Sequence, residues 1–166
     1  MRYQDARPLI RSGDVLAWSH RGIRSWHDLK IWFVRLFTRS EYSHVGLAWV
    51  TDGRVFVIEA VMPLVRVYPL SKLLDHGCFW IPSKAPWKAT TEEYAMACVG
   101  DVYSQIQAME APFEMPPADK LWECAELAAS ILKMDGIDLG TVYTPSAVVQ
   151  AALERGYPLQ YLETPT

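Results

Sequence analysis

Hydrophobic positions along the chain change their spacing near its middle. The first half is dominated by short runs of β-forming residues, and the second by apolar residues three and four apart. The turn residues of "SGDVLAW" (12–18) lead into a short strand. "SHVGLAWV" (43–50) and "RVFVIEAV" (54–61) are longer strand-like runs separated by Thr51-Asp52-Gly53. Asp-Gly between two such runs is the strongest short-range signal for a hairpin. "RVYPL" (66–70) and "CFWIPS" (78–83) read as shorter strands whose prolines, Pro69 and Pro82, place their ends near a sheet edge.

Four segments carry helical spacing. "SWHDLKIWFVRLF" (25–37) has Ser25 as its cap and Leu29, Ile31, Trp32, Phe33, Leu36 and Phe37 on a broad apolar face. Thr90-Thr91-Glu92-Glu93 reads as a capping box before a helix over 94–109, striped by Ala95, Cys98, Val102, Ile106 and Met109. A Pro-rich loop at 110–120 breaks that pattern. Another helix starts near Cys124 and runs to Met134, with Asp135-Gly136 as its stop. The last covers 144–153, with Thr144 as cap, Pro145 in the first turn and Gly156 past the end. Strands followed by helices predict an α+β fold, a small antiparallel sheet packed against helices.

The chain has 166 residues, enough to close a core of its own, and a single domain over 1–166 is expected. Hydrophobic residues make up 51% and charged residues 21%, the usage of an ordinary globular protein. Net charge is −3 and the pI about 5.8. A polyanion binder would show a basic stripe. The richest basic stretch holds Arg21, Arg24, Lys30, Arg35 and Arg39, spaced among apolar residues like a solvated helix edge, so no nucleic-acid partner is expected. No run approaches the roughly 18 apolar residues of a membrane-spanning helix, and the N-terminus has no signal-peptide core. The expectation is a soluble protein made in the cytoplasm, with non-standard export or delivery by a phage left open. The oligomeric state is not legible.

The three cysteines, Cys78, Cys98 and Cys124, are odd in number and have no Cys-Xaa-Xaa-Cys spacing, which argues against a disulfide framework or a structural zinc site. No metal or organic cofactor is expected, since neither a ligand-spaced cluster nor a Gly-rich phosphate loop is present. Cys98 in mid-helix and Cys78 in a strand read as packing residues. Cys124 admits two readings. On its helix it shares a core-facing side with Leu127, Ala128, Ile131 and Leu132. It also stands in the first turn, where free N–H groups and the helix dipole favour a thiolate and can hold an oxyanion.

A thiolate nucleophile wants a base, usually His. His20, His27 and His76 read as surface residues; His44 opens a strand. With a two-residue loop at Asp52-Gly53, Thr51 pairs with Arg54, Gly46 with Glu59 and His44 with Val61. His44, Gly46 and Glu59 then share one face, with His44 and Glu59 diagonal neighbours. Gly46 leaves room between them. A three-residue loop would put Glu59 on the other face. The apolar neighbours of Glu59 favour a partner for its carboxylate.

"SGDVLAW", "YSHVGLAWV…VFVIEAV", "GDVYSQIQ", "WECAELAASIL" and "YTPSAVVQAAL" together, over about 12–153, resemble the circularly permuted branch of the NlpC-like papain-fold superfamily, of the YiiX/YebB-like type. The resemblance implies a permuted papain-like fold built round the cysteine helix. It implies Cys124 as nucleophile, His44 as general base and Glu59 as third polar residue. Ala125 departs from the serine of many relatives. Trp18, Ser19, Tyr42 and Tyr103 are candidates for the substrate cleft, with ordinary packing as the alternative. Three functions stay open. One is a thiol hydrolase acting on a small peptide, by the resemblance a peptidoglycan stem. Another is a lipid ester hydrolase or acyltransferase with an acyl substrate. The third is a non-catalytic structural or binding module, such as a phage component.

Overall fold

The structure is a computed structural model that describes residues 1–19, 42–103, 123–142 and 144–163. The helix expected over 25–37, the basic stretch around it, His20, His27 and the Pro-rich loop lie outside the described residues.

The described elements are α1 (Tyr3–Ala6), β1 (Val15–Trp18), β2 (His44–Thr51), β3 (Arg54–Val61), β4 (Leu64–Pro69), two 3-10 turns (Leu70–Lys72 and Leu74–His76), β5 (Cys78–Ile81), α2 (Ala89–Ala97), α3 (Cys124–Met134), α4 (Pro145–Glu154) and β6 (Gln160–Leu162). The strands form one sheet in the order β4-β3-β2-β1-β5-β6, and every pairing is antiparallel. With helices packed on it, the fold is α+β, as expected.

The β2–β3 hairpin closes as its sequence dictates. Thr51 pairs with Arg54, and both loop residues have positive φ, Asp52 at 49° and Gly53 at 66°. That is the backbone a two-residue turn with the right twist needs, and Asp-Gly adopts it most cheaply. The register carries Leu47 opposite Ile58.

Side chains alternate between two buried faces. Val45, Leu47, Ile58 and Ala60 meet Ala125, Leu127, Ala128, Ile131 and Leu132 of α3 and Val148, Val149 and Ala152 of α4. Leu16, Trp18, Ala48, Val57 and Trp80 form a second core with Ala6, Ile10, Leu70, Leu74 and Leu162. Covering both faces explains why β1, "VLAW", is apolar at every position rather than alternating. Thr144 caps α4 by accepting from Ala147 N–H, Pro145 is its first residue, and Gly156 past its end has φ 78°. No helix among the described residues is long and apolar enough to cross a membrane.

Three expectations are corrected. The second predicted helix begins at Ala89, before the supposed capping box, and ends at Ala97 rather than near 109. Thr91 is buried inside it, and its hydroxyl donates to Asp135 Oδ1 at 3.0 Å, which also accepts Lys88 N–H at 2.9 Å. A carboxylate from the end of α3 thus does what the local motif promised. Gly100, at φ 97°, turns the chain away, and Val102 is 54% exposed and bridges Leu64 instead of joining an apolar stripe. Ile106 and Met109 lie outside the described residues. Pro69 lies on the outer strand β4, and Pro82 follows β5 beyond Trp80, the last residue that the outermost strand β6 pairs with. The elements α1 and β6 had no sequence reading; both are short, and β6 is held mainly by β5.

Candidate active site

Cys124 is the first residue of α3, with Glu123 at the cap position in extended conformation. The first intrahelical bond runs from Leu127 N–H to Glu123 C=O, at 2.9 Å. The N–H groups of Cys124, Ala125 and Glu126 therefore have no carbonyl behind them in the helix and face out of its positive end. Glu126 bonds back to the Glu123 backbone, the returning half of a capping box, which fixes how the chain enters the helix. Burial raises the Glu126 carboxyl above the ordinary carboxylate range despite that bond. Cys124 is half-buried, while Cys78 and Cys98 are buried; their burial pushes both thiols up, so they are inert packing residues.

His44 opens β2, and Glu59 is on β3. His44 Nε2 lies 2.6 Å from Glu59 Oε2, and the Glu59 side chain is 1% exposed. By strand alternation both belong to the face of Ala48 and Val57, whereas α3 covers the face of Val45 and Leu47. Imidazole and thiol therefore meet at the beginning of β2, not across its middle. Burial works against an imidazolium there, but hydrogen bonds and charge from Cys124 and Glu59 outweigh it and push His44 up to about 9. With Nε2 engaged by Glu59, Nδ1 is the ring nitrogen left for the thiol. Burial would raise the Glu59 carboxyl, yet His44 first and Arg66 second hold it below the ordinary carboxylate range.

Gly46 makes the diagonal pair possible. A Cβ there would stand 2.7 Å from Val57 Cγ1, 3.0 Å from Ile58 O and 3.3 Å from Glu59 Cβ. The space is closed by the neighbouring strand, so the glycine permits close approach rather than leaving a gap, as its sequence reading had it.

The cleft candidates separate. Trp18 is the β1 partner of His44; their rings lie 5.4 Å apart, and its Nε1 donates to Leu73 C=O at 3.1 Å. It walls the imidazole from a fixed position. Tyr103 is brought beside Cys124. Burial, then the charges of Cys124 and Glu123, hold its phenol protonated well above the ordinary range. A strip of backbone delivers it: Val65 N–H donates to Asp101 C=O, Gly100 N–H to Val65 C=O and Tyr103 N–H to Pro63 C=O. Tyr42 belongs to the core, edge-on to Phe79 at 5.3 Å. Ser19 follows β1 and is half-buried.

Sequence reasoning missed Arg66. It pairs across β3–β4 with Glu59, and its Nε and Nη2 lie 2.8 Å and 2.7 Å from Glu59 Oε1. The signal was a cross-strand charge pair, but finding it needed the β3–β4 register, which Met62-Pro63 does not announce as Asp52-Gly53 does.

A six-stranded antiparallel sheet packed on helices, with a thiol at one helix start and a His–Glu pair on adjacent strands, defines the structural class. No family model matches the chain, and no curated protein matches it. Among solved structures it is similar to the crystal structure of metalloprotein yiiX from Escherichia coli O157:H7, at TM-score 0.58 and 20% identity, over 94% of this chain and 89% of that one. The two share a fold, the YiiX-like permuted papain fold. Among the described residues, no three His, Cys, Asp or Glu side chains are grouped to hold a metal ion.

Proposed function

We propose that this chain is a thiol hydrolase in which Cys124 is the nucleophile, His44 the acid and base, and Glu59 the residue that orients His44. The observation that supports it is the His44 ring, engaged by the Cys124 thiol on one side and by a buried carboxylate 2.6 Å away on the other. An imidazole raised to about 9 already carries, at neutral pH, the proton a leaving group needs. The thiolate sulfur attacks a carbonyl carbon, and the free N–H groups at the start of α3 donate hydrogen bonds to the oxyanion. His44 then protonates the departing amine or alcohol, leaving a thioester on Cys124. A water molecule gives its proton to His44 and its hydroxyl to the thioester carbonyl; the acid leaves and the thiol is restored.

The resemblance to NlpC-like enzymes favours an amide in a small peptide of the peptidoglycan type. A second reading, an acyl ester, is favoured by the apolar side chains of Met62, Leu64, Val99 and Val102, all exposed around the strip that leads to Tyr103.

The first test is alkylation of Cys124 by iodoacetamide at pH 6 and pH 8, in the native protein and in His44→Ala, with peptide mapping to separate the three cysteines. An ordinary thiol titrates near 8.5 and loses roughly a hundredfold in rate between those pH values. Cys124 is expected to lose less than about tenfold in the native protein and the full hundredfold in His44→Ala. A hundredfold loss in both proteins would sink the hydrolase and bring the binding-module reading forward. Muropeptides and fatty-acyl esters, offered in parallel, then separate the two substrates by the product released.

A further inference from the structure

We infer that Arg66 is a positioning residue for this site: its guanidinium fixes the Glu59 carboxylate and moderates how strongly Glu59 holds the proton on His44. The inference rests on the hydrolase reading. Glu59 is the only buried member of this pair, with its side chain 1% exposed against 44% for Arg66. An exposed ion pair contributes little because water competes for both partners. Here water has almost no access to the carboxylate, so Oε1 depends on Arg66 as Oε2 depends on His44.

The geometry divides the carboxylate cleanly. One oxygen takes Nε2 of His44, and the other takes two nitrogens of a planar fork that a lysine does not reproduce. Arg66 is itself held in place: it lies directly opposite Glu59 in the ladder, and its guanidinium carbon sits 4.6 Å from the centroid of the Tyr68 ring, two residues along the same face of β4.

The consequence is electrostatic. Thiolate, imidazolium, carboxylate and guanidinium alternate in sign from α3 through β2 and β3 to β4. Glu59 alone would hold the proton on His44 so firmly that its transfer to a leaving group would slow. A cation on the far oxygen offsets part of that negative charge. Among the described residues, the other ionisable groups near the site, Tyr103, Glu123 and Glu126, lie on the thiol side.

The sign of the effect follows. Removing the Arg66 charge leaves Glu59 ionised at neutral pH, because His44 still supports it, so the His44 titration moves up. Glu59 itself, having lost one of its two supports, is protonated at higher pH on the acid side. Both limbs of an activity or alkylation profile therefore move upward, by about one pH unit. kcat falls about tenfold with KM little changed. Arg66→Lys keeps the charge and loses the fork, so it shifts the limbs less and restores part of kcat.

The experiment is an NMR titration of the His44 imidazole together with the pH profile of Cys124 alkylation, in the native protein, Arg66→Met and Arg66→Lys. Upward shifts in Arg66→Met with partial return in Arg66→Lys support the inference. If the native protein shows an elevated His44 and a reactive Cys124 while both variants superimpose on it, Arg66 is merely structural and this inference falls alone. If the native His44 titrates near 6.5 and Cys124 behaves as an ordinary thiol, the hydrolase reading falls and this one with it. Should Arg66→Met fail to fold, Arg66→Lys decides: a profile identical to the native one overturns the inference, and a small upward shift with a several-fold loss of kcat supports it.

Discussion

Two partners hold the proton on His44 against its own burial, and each can be removed separately. Cys124→Ala takes away the hydrogen bond and charge of the thiol and leaves only Glu59, so the imidazole is expected to titrate below the native value of about 9. NMR of the ring checks this; an unchanged titration would mean that thiol and imidazole do not interact. The same pair governs stability. His44 is raised on folding, so its contribution is complete below about 6.5 and fades as pH rises through about 9. Glu59 is lowered, so its contribution is present above the ordinary carboxylate range and is lost as pH falls through its folded value. Thermal melts of the native protein are expected to lose midpoint between pH 6.5 and 9, and His44→Gln to be flatter in that window. His44 and Glu59 were legible together because Asp52-Gly53 fixes the register and alternation does the rest. Arg66 was not, because nothing in Met62-Pro63 specifies which β4 residue faces Glu59.

At the level of elements, the site depends on how closely β2 and β3 approach at Gly46. Gly46→Ala would drive a methyl group to 2.7 Å from Val57 Cγ1 and 3.3 Å from Glu59 Cβ. Val57 is fully buried and β-branched, so it cannot swing aside cheaply. The expected cost is about 1–3 kcal/mol of stability, read by denaturant titration, with a loss of Cys124 reactivity at pH 6 because Glu59 is displaced from His44. Native stability and reactivity in this variant would show that the strands are free to separate there. The start of α3 was legible because a Pro-rich stretch stops before it and helical spacing follows. The start of α2 was misread for an instructive reason. Thr90-Thr91-Glu92-Glu93 has the local chemistry of a cap, but Asp135, 44 positions beyond Thr91, binds Thr91 and the Lys88 N–H. A tertiary cap overrides a local one, and no window of sequence contains both halves of it.

Across the whole molecule, the sheet joins segments far apart in the chain, and one buried carboxylate ties several of them together. Asp14 has no exposed surface. It accepts from Trp80 Nε1 at 2.7 Å, from the Ser83 N–H and hydroxyl at 2.8 Å each, and from Arg11 N–H at 2.9 Å, while its own carbonyl accepts from Ala48 N–H at 2.8 Å. It thus links the approach to β1 with β2 and with the end of β5. It read as a turn residue in "SGDVLAW", because a carboxylate satisfied by neutral donors from distant segments leaves no charge partner to find in sequence. Its place is away from His44 and Cys124, which allows stability and reactivity to be separated. Asp14→Ala leaves the Trp80 and Ser83 donors without their acceptor, at about 1–3 kcal/mol for each buried group left unpaired. The unfolding free energy read from denaturant titration should therefore fall by several kcal/mol, with the midpoint moving to lower denaturant. In native buffer, Cys124 should still be alkylated at pH 6 at the native rate. A stable Asp14→Ala would mean that solvent reaches these donors and replaces the carboxylate. A stability loss accompanied by lost reactivity under native conditions would mean that the β1–β5 junction positions His44 through Trp18, the strand partner whose ring lies beside it.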